Sequence, residues 1–265
     1  MVFGKGGWRL LFCVGLAGLT VAASAAETKE SVRMLEELAK DYAAHDVLPA
    51  AALSFGVEIT GPGGGRWCVR IDPVAAEKVT IRPGFPGEPS FFFTMDAETL
   101  DKICRGQWNF LTAGGRARMS DPAPLDLALM EGFAPPPDFL PRVALPLGFH
   151  FFTPGVPEVL RFGEDHSRRV HGGNAVPLYY DLGLRTAWYK VTPGMMINRD
   201  PADATNPFST LLIFTRGRGT GRLGDRIMLL EEGLTLFVPA GMVHQIWTDA
   251  DEGLEFVIIM FGTGA

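Results

Sequence analysis

The residues best suited to chemistry lie in "GLTLFVPAGMVHQIWT", residues 233–248, where a Pro239-x-Gly241 turn precedes His244. An imidazole that follows a tight turn can serve as a metal ligand, a proton donor or acceptor, or a buried hydrogen-bonding group. Its ordinary pKa lies near neutrality and either ring nitrogen can act. His166 and His171 fall in "EDHSRRVHGG", a charged loop whose five-residue spacing has no ligand geometry of its own, and they are expected in a solvated connection. Beyond residue 25 the thiols are Cys68 and Cys104, which either pair as a disulfide or stay apart as buried thiols. The sequence has no Gly-x-Ser-x-Gly nucleophile elbow, no Walker-type phosphate loop and no Cys-x-x-Cys pair. It also lacks a Gly-x-Gly-x-x-Gly run between a strand and a helix. "RGRGTGRLGD", residues 216–225, reads as a hairpin turn rather than an anion site, since no helix follows to present amide groups.

These groups need elements to position them. With 47% hydrophobic and 20% charged residues over 265 positions, the chain can bury one large core or two ordinary ones. The first 25 residues are set aside. Lys5 and Arg9 form a basic start, Leu10 to Val21 an apolar run, and Ala23-Ser24-Ala25 a small-residue cleavage site, which together predict a secretory leader and an exported, periplasmic or secreted protein. The alternative is an uncleaved anchor, for which the apolar run is short against a span of ~20 residues. Bulky Phe12 before Cys13 argues against lipidation there. Without the leader, 22 basic residues face 30 acidic ones, a formal charge of −8. That excludes a general surface for nucleic acid or anionic membrane, and no membrane span is expected after leader removal.

"SVRMLEELAKDYAAH" places Val32, Leu35, Leu38, Ala39 and Tyr42 on one face and predicts an amphipathic helix. "ALSFGVEIT" and "RWCVRID", parted by Gly61-Pro62-Gly63-Gly64-Gly65, predict a hairpin, and "KVTIRPG" and "SFFFTM" continue the strands. Asp96 is a natural N-cap for a helix through Cys104, with Gly106 as its stop. Residues 133–176 are rich in proline and are expected to be a linker. From 177 to 265 short β-prone runs alternate with Gly, Pro and Asp, the cadence of an antiparallel sandwich or barrel.

"FGVEITGPGGGRWCVRID" followed by "PSFFFTMDAETLDKICRGQWNFLTAGGRARMS" resembles the sterol carrier protein type 2 family over residues 31–132. The resemblance implies an α+β domain, a five-stranded sheet with helices on one face, around an apolar tunnel for a sterol, acyl chain or other lipid. Phe91, Phe93, Trp108, Phe110 and Leu111 would line that tunnel, and Phe92 adds to the same apolar surface. The alternative is that these side chains fill a core. The chain departs from the family in a shorter segment between Ala113 and Gly115 and in Ser120-Asp121, where a closing glycine is usual.

Gly233-x5-Pro239-x-Gly241-x2-His244 is similar to the second motif of the cupin barrels, all-β double-stranded β-helices, with Thr248 where an asparagine is common. The first cupin motif, bracketed by Pro193-Gly194 and Gly217, would supply two histidines and a glutamate. Asn198 and Asp200 stand at the histidine positions, and Ser209 or Thr210 near the glutamate. A first-row divalent metal is normally held by three or four protein ligands, so a metal-free barrel is expected, with His244 as the weak exception.

The expectation is a two-domain exported protein that binds a lipid or other apolar molecule without catalysis and carries a metal-free cupin barrel. No cofactor is expected, nor any nucleic-acid partner. The alternative is a cupin-type metal-dependent oxygenase or isomerase acting on a hydrophobic substrate. The barrel pocket would use His244, Asn198 and Asp200, and a homodimer could form through the apolar strand "LEFVIIMF".

Overall fold

The computed structural model describes residues 25–44, 47–115, 122–155 and 159–265. The leader expected over residues 1–25 lies outside them apart from Ala25, and so does Ser120-Asp121. The described residues divide into two compact units, one holding those of 25–114 and 123–159, the other Gly115, Pro122 and the run Leu160–Ala265.

The first unit opens with helix α1 (Ala25–Ala43), in which Leu35, Leu38, Ala39 and Tyr42 are buried, as their helical spacing requires. Strands β1 (Leu53–Thr60), β2 (Gly65–Ile71), β3 (Val79–Pro83), β4 (Phe91–Asp96) and β5 (Asp126–Leu129) form one sheet in the order β3-β2-β1-β4-β5. The β1–β4 pair is parallel and the rest antiparallel. Alternation sends Phe55, Val57 and Ile59 from β1, Trp67, Val69 and Ile71 from β2, and Phe91, Phe93 and Met95 from β4 into the core. Asp96 caps helix α2 (Ala97–Cys104), its carboxylate accepting from the Thr99 amide at 2.8 Å, and Gly106 follows in the left-handed region. Buried Asn109 performs the same service for the short helix α3 (Phe110–Gly114), accepting from the Thr112 amide at 2.8 Å.

Residues 133–176 are not a bare linker. Leu140–Ala144 makes a wide π-helical turn that runs into helix α4 (Leu145–Phe151) in the first unit. Pro141 and Pro146 sit in the first turn of each, where a missing amide proton costs nothing. The apolar residues around the prolines, not the prolines, decide the outcome. Phe139, Leu145, Leu147, Phe149, Phe151 and Phe152 are all buried. Gly148 is required there, because a β-carbon at this position would meet the Phe110 ring at 2.7 Å.

The second unit is a nine-stranded antiparallel sheet curled on itself. Its strands are β6 (Arg168–Val170), β7 (Gly173–Asp181), β8 (Leu184–Val191), β9 (Met196–Ile197), β10 (Ser209–Leu223), β11 (Arg226–Glu231), β12 (Thr235–Val238), β13 (His244–Trp247) and β14 (Leu254–Phe261). The order is β6-β7-β8-β14-β10-β13-β9, with β11 and β12 also on β10. Strand β10 runs through the whole unit: its first half pairs with β12 and β14, its second with β11 and β13. The change of partners falls at a bulge between Phe214 and Arg216. At Gly217, φ is +78° and a β-carbon would overlap the Gly253 carbonyl. The "RGRGTGRLGD" run is therefore mostly strand, and only Gly224-Asp225 turns the chain. Inside the barrel Tyr189 stacks on Phe256, with centroids 5.7 Å apart, and Phe214, Leu212, Leu230, Val238 and Ile246 complete the core.

Candidate functional site

His244 begins β13 and points inward on the same face as Ile246; only 3% of it is exposed. Its Nδ1 lies 3.0 Å from the Met242 carbonyl oxygen, which can only accept, so Nδ1 carries the proton. Nε2 is left as an acceptor, 3.5 Å from the side-chain amide nitrogen of Asn206. That amide also donates to Thr210 Oγ1 at 3.3 Å. The backbone holds the loop in place: the His244 amide donates to Ala204 O at 2.9 Å and the Gly241 amide to Asn206 O at 2.8 Å. Burial lowers the His244 pKa, partly offset by the Met242 carbonyl, so the ring is neutral near pH 7.

Asn198 and Asp200 do not complete a ligand set around this ring. Asn198 is buried at φ +56°, a conformation asparagine tolerates better than most residues. Its side-chain amide donates to the backbone oxygen of His244 at 3.1 Å, and its own carbonyl accepts from the Gln245 side chain at 3.0 Å. It clasps β13 and offers nothing to the imidazole. Asp200 is exposed and caps the 3-10 turn Pro201–Asp203, accepting from the Ala202 amide at 2.9 Å. Thr248 is likewise engaged, its hydroxyl donating to Arg218 O at 2.6 Å. A metal of the kind cupin barrels hold does not fit these residues, since among the described residues no three His, Cys, Asp or Glu side chains converge.

The inner face carries instead one row in which Tyr180, Arg185 and Thr210 alternate with apolar Met260 and Val238. The registers Tyr180↔Arg185, Arg185↔Met260, Met260↔Thr210 and Thr210↔Val238 carry it over β7, β8, β14, β10 and β12. Arg185 and Thr210 are two strand spacings apart, about 10 Å. The Arg185 guanidinium lies 5.4 Å from the Tyr180 ring centroid and 5.9 Å from that of Phe208, both buried. Burial lowers its pKa from the ordinary arginine value, with Tyr180 acting in the opposite direction. Arg185, Tyr180 and Asn206 were not legible as site residues. Their signal is strand parity, which needs the registers, and for Asn206 a loop contact that no spacing encodes.

In the first unit, Phe91, Phe93, Phe110 and Leu111 are buried. The Phe93 ring is edge-on to Phe152 at 5.2 Å and to Phe110 at 5.4 Å, and Phe91 to Phe139 at 4.9 Å. Phe151 meets Phe55 at 5.3 Å and Tyr42 at 5.7 Å. Phe91, Phe93 and Phe110, expected to line a tunnel, thus pack against phenylalanines from residues 139–152. Trp108 is half-buried beneath Lys102, whose Nζ stands 4.4 Å from the ring centroid. Cys68 and Cys104 are free thiols; burial raises both pKa values, that of Cys104 to about 12.

Residues 198–264 match the family model of the AraC-like ligand binding domain. Among solved structures, the chain is similar to a cupin 2 conserved barrel domain protein from Salinispora arenicola at 16% identity and a TM-score of 0.35, covering 40% of this chain and 88% of that one. It is also similar to an RmlC-like cupin family protein with a double-stranded β-helix fold from Methanocaldococcus jannaschii, at 18% identity and a TM-score of 0.33, covering 40% and 92%. No curated protein sequence matches the chain. The family match over residues 198–264 and the curled antiparallel sheet support a cupin-like β domain in the second unit.

Proposed function

We propose that the second unit is a noncatalytic receptor for a small organic molecule bearing a carboxylate or similar acceptor-rich anionic group. The observation that carries this reading is the inner-face row in which Arg185 and Thr210 share one end of the barrel with Asn206 and His244. A guanidinium offers a planar fork to a carboxylate, and the amide, hydroxyl and neutral imidazole set the orientation of the rest of the molecule. The match to a ligand-binding family supports small-molecule binding as the class. Native mass spectrometry of the purified chain is the first test, followed by thermal shifts with a panel of aliphatic and aromatic carboxylates and neutral sugars. The expected result is stabilisation by one or more carboxylates, with affinity falling about tenfold or more in Arg185→Gln. Stabilisation by neutral compounds alone, unchanged in that variant, overturns the assignment.

A second reading keeps the first unit as a carrier of apolar ligands in the manner of the sterol carrier protein type 2 family. It draws on the strand order β3-β2-β1-β4-β5 and on an aromatic surface against which residues 139–152 pack. An apolar ligand would then compete with Phe151 and Phe152 for that surface. Saturable uptake of a fluorescent fatty acid by the delipidated chain, strengthened by Phe152→Ala, is the expected outcome; no uptake by either protein removes this reading. Export completes the proposal, and N-terminal sequencing of the processed protein is expected to start at Ala26.

A further inference from the structure

The strand "LEFVIIMF", expected at an interface, is β14, and it lies between β8 and β10 with both edges hydrogen-bonded. Its alternate residues face the barrel interior, and the last of these is Met260. At the end of the barrel that holds Arg185, burial sorts the residues into two kinds. Tyr180, Phe208, Thr210, Val238 and His244 are 3% exposed or less. Arg185, Met260 and Asn206 are half-buried, so a molecule entering this end meets a guanidinium, a thioether and a side-chain amide.

Register fixes their order. Arg185 on β8 stands opposite Met260, Met260 opposite Thr210 on β10, and the Asn206 amide meets the Thr210 hydroxyl at 3.3 Å. The middle of this row is apolar and polarisable, and a thioether gains more from contact with an aromatic ring than with a saturated one. The rings of Tyr180 and Phe208, 5.4 and 5.9 Å from the guanidinium carbon, add aromatic surface at the anionic end. At the other end His244 decides which way the Asn206 amide faces. Because Nδ1 of that ring carries the proton, Nε2 calls for a donor, and Asn206 turns its Nδ2 toward it. The Asn206 Oδ1 therefore faces away, and among the described residues it receives no hydrogen bond. An acceptor left open in a half-buried position favours a ligand that brings a donor.

Building on the assignment of Arg185 as the anion site, we propose that the ligand is an aromatic carboxylate with a hydrogen-bond donor, such as a hydroxyl, across the ring from its carboxylate. Met260 lies against the ring and Asn206 Oδ1 accepts from the donor. Isothermal titration calorimetry on the full chain tests this with para-hydroxybenzoate, benzoate, the saturated analogue para-hydroxycyclohexanecarboxylate, and hexanoate. The expected result is that para-hydroxybenzoate binds about tenfold more tightly than benzoate, which lacks the donor, and about fivefold more tightly than the saturated analogue. Hexanoate binds more weakly than para-hydroxybenzoate. Met260→Leu, which keeps the side-chain volume, brings para-hydroxybenzoate and its saturated analogue to within about twofold of each other. Asn206→Ala lowers para-hydroxybenzoate to the affinity of benzoate. Circular dichroism checks the fold of each variant, and the four-ligand comparison on the unaltered chain decides the matter if a variant unfolds. Benzoate, the saturated analogue or hexanoate binding as tightly as para-hydroxybenzoate overturns this inference and leaves Arg185 as an anion site. Binding of no carboxylate, or binding unchanged in Arg185→Gln, overturns the anion site and this inference with it.

Discussion

At the scale of single residues, His244 shows how one motif admits opposite outcomes. Its Nδ1 proton is committed to Met242 O and its Nε2 faces an amide, so the ring works as a neutral hydrogen-bonding group. A folded-state pKa below the ordinary value means that the unfolded chain takes up the proton first. Stability is fully present above the unfolded value of about 6.5 and is lost as pH falls below it. Thermal melts between pH 7.5 and 5 are expected to show the barrel losing stability as acid is added, with the slope reduced in His244→Gln. His244→Ala removes the ring's contacts with the Met242 carbonyl and the Asn206 amide, which keeps only Thr210, and should cost about 1–3 kcal/mol, measured by urea unfolding at pH 7.5.

Elements carry a different kind of information. The Asp96 cap could be read directly because an acidic residue before an apolar-periodic run has a local cause. Asp96→Ala is expected to cost about 1 kcal/mol in denaturant unfolding. The segment 133–152 could not be read that way. Its prolines suggested connection, yet two of the five, Pro141 and Pro146, occupy first helical turns, and the phenylalanines around them reach the sheet. Gly148→Ala tests this packing. A methyl group forced against Phe110 should destabilise the first unit by about 1–3 kcal/mol and weaken its near-ultraviolet circular dichroism. A neutral effect would mean that α4 sits more loosely than its buried residues imply.

For the molecule as a whole, the two units pose separate chemical questions. Metal is the sharper one. With no converging ligand set among the described residues, metal analysis of protein purified without chelators is expected to give well under one equivalent, unchanged by His244→Ala. Treatment with EDTA should leave the melting temperature where it was. Stoichiometric metal lost in that variant would restore the oxygenase or isomerase reading. No helix among the described residues is long and apolar enough to cross a membrane. The acidic balance of the sequence, 24 basic against 30 acidic residues, predicts no binding to anionic vesicles, which a flotation assay checks.

The sequence alone determined what is local. Periodicity located α1, α2 and most strands of both units, and glycine and proline marked many of the turns. The motif around His244 pointed to a cupin-like barrel, and the residues at its other expected ligand positions argued against a full metal set. Tertiary structure decided what depends on register and on contacts distant in sequence. It turned Asn198 into a clasp on β13 and Asp200 into a cap. It packed Phe152 against Phe93, one of the rings expected to line a tunnel, and enclosed β14 between neighbours, and among the described residues it paired β11 with β10 alone. It also brought Arg185, Thr210, Asn206 and His244 to one end of the barrel. Side-chain direction along a strand follows from the chain itself, but the residue that comes opposite is chosen only when strands pair, and no spacing along the chain records that choice.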